Sequence, residues 1–154
     1  MARIEREVVV AAPPEQVFAM LVEPEMAARH LPSVVAVRGR TPGPIGVGSR
    51  WVQVMRLAGQ QVDARVQVAA FEPPTLCAID MTAPSGPRFH ITLRVTPQGA
   101  GALVRQTFEY DMPGGLLGAL ASRLVIERLL NEEIAQNLAI LKRVAEAELG
   151  GAAG

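Results

Sequence analysis

A single cysteine, one tryptophan, one tyrosine and two histidines are all that the 154 residues hold of several side chains that commonly carry covalent, redox or metal chemistry. One cysteine closes no internal disulfide. Cys77, within Leu76-Cys77-Ala78-Ile79, reads as a small buried apolar side chain. His30 and His90 have no spacing to it that predicts a metal site, so no metal or cofactor is expected. Excess charge is also missing: fifteen basic residues balance fifteen acidic ones, which argues against nucleic acid or an anionic membrane as partner. No apolar run reaches the roughly 18 residues of a spanning helix, so no stable membrane insertion is expected. The start Met1-Ala2-Arg3-Ile4-Glu5-Arg6 lacks the apolar core of a signal peptide, leaving the cytoplasm as the expected location. The glycines from Gly39 to Gly48 precede a strand rather than a helix and read as a turn, not a phosphate loop.

What is abundant is apolar surface: 49% of the residues are hydrophobic and the mean hydropathy is positive. Without a membrane to enter, that surplus belongs in a core or a cavity lining. The length suits one domain, expected over residues 1–149, with 150–154 as a disordered Gly/Ala tail.

From Arg3 to Ala11 the chain reads as a strand. Pro14 then stands where the first turn of a helix tolerates proline, and Val17, Met20 and Leu21 share one face of a helix running to about Val22. Pro24 opens a second short helix that Pro32 ends, with His30 expected at the surface of that end. Further strand-like segments follow: Val34 to Arg38, Ser49 to Leu57, Val62 to Ala70, Thr75 to Thr82, Phe89 to Thr96 and Ala102 to Met112, with turns rich in glycine and proline between most of them. Period-two alternation sets Trp51, Gln53 and Met55 against Arg50, Val52 and Val54. It likewise directs Val66, Val68, Met81, Phe89, Ile91, Gln106, Phe108 and Tyr110 toward one interior. His90 falls on the polar side, as a surface residue.

After Pro113-Gly114-Gly115 a helix is predicted from about Leu116 to Leu149, about 50 Å long at 1.5 Å per residue. Ile134, Leu138, Leu141 and Ala145 form its sheet-facing stripe. Its N-terminal half is apolar around much of its circumference, while Arg123, Glu127 and Asn131 occupy the side where the stripe would continue. Either the contact face rotates there or polar groups line an opening; the plainer reading is an exposed Arg/Glu pair.

The order strand, two helices, six strands and long helix carries several short motifs: Ala12-Pro13-Pro14-Glu15-Gln16-Val17-Phe18, Pro24-Glu25, Leu31-Pro32-Ser33-Val34, Gly46-Val47-Gly48-Ser49-Arg50-Trp51, Phe71-Glu72-Pro73-Pro74 and Pro113-Gly114-Gly115-Leu116-Leu117. In these the chain resembles the START-like (SRPBCC) superfamily, in its bacterial polyketide cyclase/dehydrase and lipid-transport branch, from about Arg3 to Ala147. The resemblance implies an α+β helix-grip fold, with a curved seven-stranded antiparallel sheet around the long C-terminal helix and an apolar cavity between them. It implies no single reaction, because members bind lipids, sterols, hormones or polyketides, and some cyclise or dehydrate polyketides. No catalytic motif is common to them.

The expected ligand-binding residues are Trp51, Gln53, Met55, Val66, Val68, Met81, Phe89, Ile91, Gln106, Phe108, Tyr110, Leu117, Leu120 and Leu124. Gln53, Gln106 and the Tyr110 hydroxyl discriminate most, since an inward polar group needs a partner. No catalytic constellation is visible. Three readings follow. The first is a noncatalytic carrier or sensor for a small hydrophobic molecule. The second is a cyclase or dehydratase using Tyr110 or His30. The third is a module that binds a protein partner or a second copy, or acts as a chaperone cofactor, through an apolar patch from Leu116 to Leu130.

Overall fold

The computed structural model describes residues 2–57, 59–84, 88–111 and 119–150. Strand β1 (Ala2–Val10) leads into α1 (Pro14–Leu21), which carries proline in its first turn, where no intrahelical N–H is required. The second helical segment is split into a 3-10 turn over Pro24–Met26 and a single α-turn, α2 (Ala27–His30). Leu31 is already extended, as a residue before proline must be. Strands β2 (Val34–Arg38), β3 (Arg50–Leu57), β4 (Gln60–Glu72), β5 (Leu76–Thr82), β6 (Arg88–Gln98) and β7 (Gly101–Asp111) follow, and α3 (Ala119–Glu148) closes the order. This is the α+β arrangement expected from the sequence. The first turns of the predicted long helix, from Leu116, lie outside the described residues.

The strands form one antiparallel seven-stranded sheet in the order β1-β7-β6-β5-β4-β3-β2. From β2 to β7 each strand pairs with the next in sequence. β1 instead returns to the far edge beside β7, so α1 and α2 must cross from one edge of the sheet to the other. Gly59, at φ +78°, and Gly99, at φ +56°, take left-handed conformations in the β3–β4 and β6–β7 turns.

The core lies where α3 meets the sheet. Leu141 is 1% exposed and Ala145 fully buried, among Val10, Val17, Phe18, Val95, Ala102 and Val104. Polar straps hold the C-terminal half of α3 in place. Lys142 Nζ donates to the Val9 carbonyl at 2.7 Å, and the Glu146 carboxylate accepts from the Ala11 N–H at 2.8 Å. Ser33 Oγ donates to Glu133 at 3.1 Å, and Arg29 pairs with Glu148, tying the α2 region to the same helix.

Candidate functional site

Directly opposed residues in antiparallel strands point to the same face, so the register assigns every side chain to a side. One row runs Ala2, Tyr110, Phe89, Met81, Val66, Trp51 across six strands. The next runs Ile4, Phe108, Ile91, Ile79, Val68, and a third runs Arg6, Gln106, Leu93, Cys77. By alternation Gln53 and Met55 of β3 share this face. Eleven expected site residues therefore lie on one side of the sheet: Trp51, Gln53, Met55, Val66, Val68, Met81, Phe89, Ile91, Gln106, Phe108 and Tyr110. It is the side that packs with the helical stripe of Ile134, Leu138, Leu141 and Ala145.

Burial divides this face in two. Under the C-terminal half of α3 and under α1 it is closed, with Val95, Ala102 and Val104 almost or wholly inaccessible. Farther along, Met55, Ile79, Met81, Phe89, Ile91 and Phe108 are only partly buried. Phe108 opposes Ile91, which opposes Ile79, and Phe89 opposes Met81, so the accessible apolar side chains are contiguous. The helix explains the division. Its stripe is buried from Ile134 to Ala145 and Leu130, one turn earlier, packs against the same core, while Leu129 and Leu124 lie off the stripe and are 59% and 67% exposed.

Leu124 was expected to line the interior and is instead exposed, displaced round the helix from the stripe of Ile134, Leu138, Leu141 and Ala145. Leu117 and the side chain of Leu120 lie outside the described residues. Asn131 does continue the stripe, as a polar contact to the sheet. Its Oδ1 accepts from Arg6 Nε at 3.3 Å and Nη2 at 3.1 Å, and its Nδ2 donates to the Glu127 carbonyl at 3.0 Å. Helical spacing alone left Glu127 and Asn131 between a rotated contact face and a polar opening. Arg6 was missed, although its alternation with Ile4 and Val8 would have placed it inward.

The polar atoms of Trp51, Gln53 and Gln106 on this face are sparsely engaged among the described residues. Trp51 is 6% exposed and its Nε1–H has no partner among the described residues. Gln53, equally buried, brings its amide only to the Met81 sulfur, at 3.8 Å. The Gln106 side chain makes no hydrogen bond among the described residues. Tyr110 is 2% exposed, its ring against Phe89 at a centroid distance of 5.7 Å.

His30 corrects a second expectation. It is 6% exposed rather than on the surface, because the short α2 packs against α3 and against β2. Burial, the dominant cause, holds its pKa below the usual value, so the ring stays neutral at neutral pH; the Met26 carbonyl works in the opposite direction. It belongs to α2, not to the sheet face. His90 is on the opposite, outward side, where its Nδ1 meets Asp80 at 2.7 Å. That side also has a hollow of about 480 Å³ bounded by Arg50, Val52, Arg65, Gln67, Asp80 and Thr82. Cys77 is 7% exposed and burial pushes its thiol up to about 11, as befits a packing residue. Among the described residues no three His, Cys, Asp or Glu side chains gather as metal ligands, and no helix is long and apolar enough to cross a membrane.

The chain belongs to the polyketide cyclase / dehydrase and lipid transport family, whose model matches residues 1–146. No curated protein matches it. Solved structures of the same fold include the Zhui aromatase/cyclase from Streptomyces sp. R1128, at 18% identity over 94% of this chain and 93% of that one, with a TM-score of 0.78. TTHA0849 from Thermus thermophilus is 21% identical over 96% and 99%, with a TM-score of 0.74. A START superfamily protein from Mycobacterium smegmatis is 15% identical over 92% and 98%, with a TM-score of 0.68. At these identities the likeness is one of fold.

Proposed function

We propose that this member of the family is a noncatalytic carrier or sensor that holds a small hydrophobic molecule, such as a lipid, polyketide or isoprenoid-like compound, between the concave sheet face and α3. The observation that carries the reading is the contiguous, partly accessible apolar wall of Phe108, Ile91, Ile79, Phe89 and Met81 beside a closed core. Apolar side chains left accessible on an inward face gain from a guest that removes them from water. Trp51, Gln53, Gln106 and Tyr110 would orient its polar end. The only imidazole–carboxylate contact among the described residues faces outward, and neutral His30 is off the sheet, so the wall lacks an evident general base. A single buried cysteine suits a reducing cytoplasm.

Native mass spectrometry of the purified protein, followed by organic extraction, tests this. An equimolar apolar compound supports the reading. A protein that is empty and also fails to bind decanol overturns it.

A cyclase or dehydratase is the second reading, favoured by the buried Tyr110 on the same face and by the aromatase/cyclase fold likeness. Tyr110→Phe would then abolish turnover while sparing affinity. The exposed Leu124 and Leu129 of α3 support a third reading, a protein partner or second copy. In that case Leu129→Glu would dissolve a complex seen by light scattering.

A further inference from the structure

The inward sheet face carries one charged side chain among the described residues, and it is Arg6. Its register partner Gln106 is opposed in turn by Leu93, which fixes the side on which the guanidinium stands. The neighbouring acids of β1 are on the other side and already engaged: Glu5 with Arg3 at 2.9 Å, Glu7 with Arg105 at 3.0 Å. No acidic side chain among the described residues lies within ion-pair distance of Arg6. Glu127, one turn before Asn131, contributes its backbone carbonyl to the Asn131 amide. Among the described residues Arg6 thus has a neutral partner only, the Asn131 oxygen, which takes two of the five N–H donors a guanidinium carries.

Its position suits an anion. Ile4, two residues earlier on the same face, opposes Phe108, so Arg6 borders the row that continues through Ile91 and Ile79. Arg6 itself is exposed. A charge there keeps much of its hydration, and an anion meeting it escapes the full desolvation cost of a buried pair. From β7 to β4 the apolar row spans about 14 Å at the usual strand spacing of about 4.8 Å, room for a medium-length chain laid across the strands. The planar guanidinium fork matches a carboxylate in particular.

We propose that Arg6, with the Gln106 and Asn131 amides beside it, is the head-group site of the inward apolar wall, and that the ligand is a hydrophobic carboxylic acid bound with its tail along that wall and its carboxylate at Arg6. This rests on the ligand-binding reading above and names the class of ligand it takes.

The test titrates the full chain with decanoate and with decanol, which share a tail and differ in head-group charge, following Trp51 fluorescence at low salt. Wild type is expected to bind decanoate about fivefold more tightly, the scale of an accessible ion pair. In Arg6→Met, which keeps the aliphatic stem, the ratio of the two affinities should collapse toward one, and Arg6→Lys should restore part of it. Equal binding of both probes by wild type would overturn the head-group site while leaving binding at the apolar wall intact. A fall of both affinities by the same factor in Arg6→Met would make Arg6 a strap for α3 and overturn it too. If neither probe binds wild type, the ligand-binding reading itself fails, and the head-group site with it.

Discussion

Truncating Phe108 to alanine separates a ligand-facing wall from an ordinary core, because the two predict different dependences on an added guest. The control is Leu141→Ala, at a side chain 1% exposed in the closed part of the core, where such a change costs about 2–5 kcal/mol. Phe108 is only partly buried, so its truncation in the free protein should cost less than the roughly 3–5 kcal/mol of a fully enclosed phenylalanine. With decanol at a hundred times its dissociation constant, wild type gains about 2.7 kcal/mol by mass action. If losing the ring weakens binding tenfold, the same concentration stabilises Phe108→Ala by only about 1.4 kcal/mol. Urea unfolding with and without decanol therefore shows a gap of about 1.3 kcal/mol opening for Phe108→Ala alone, while Leu141→Ala loses the same amount in both conditions. A Phe108→Ala protein as destabilised as Leu141→Ala, with an unchanged response to decanol, would refute the reasoning and make the wall plain core.

Three other perturbations test the fold around the site. The buried His30 has its pKa lowered from 6.5, so below that pH the unfolded chain binds a proton that the folded one resists; stability is full above it and falls as pH drops. His30→Leu should flatten this acid-side slope, and an unchanged slope in urea midpoints between pH 5 and pH 7.5 would count against it. A Cβ added at Gly101 would meet the Val10 carbonyl oxygen at 2.3 Å, a backbone atom that cannot swing aside, so Gly101→Ala should lose about 1–3 kcal/mol in urea unfolding. Cys77, with its thiol raised to about 11, should resist alkylation at pH 8 in the native protein and react once it unfolds. Rapid native modification would show that its burial is wrong.

Alternation made most of this sheet face legible in the sequence. Trp51, Val66, Met81, Phe89 and Tyr110 share a row because period-two patterning and strand register are one geometrical fact. Ile134, Leu138, Leu141 and Ala145 were legible for the corresponding helical reason. Leu124 was not, because the N-terminal half of the helix is apolar around much of its circumference and offers no single face with which to extend the stripe. His30 was missed because burial of a single α-turn depends on the long helix a hundred residues later. Arg6 went unremarked because it sits among alternating charges in Arg3-Ile4-Glu5-Arg6-Glu7, where strand parity alone separates the one inward charge from its outward neighbours.

The most direct measurement of the central claim is an isotope-filtered NOE experiment on the protein with bound decanol. The account predicts contacts from the alkyl chain to the side chains of Ile79, Met81, Ile91 and Phe108, and none to the exposed Val35 and Val47. Contacts confined to Leu124 and Leu129 on the outer part of α3, or an alkyl chain that touches none of the inward wall, would contradict it.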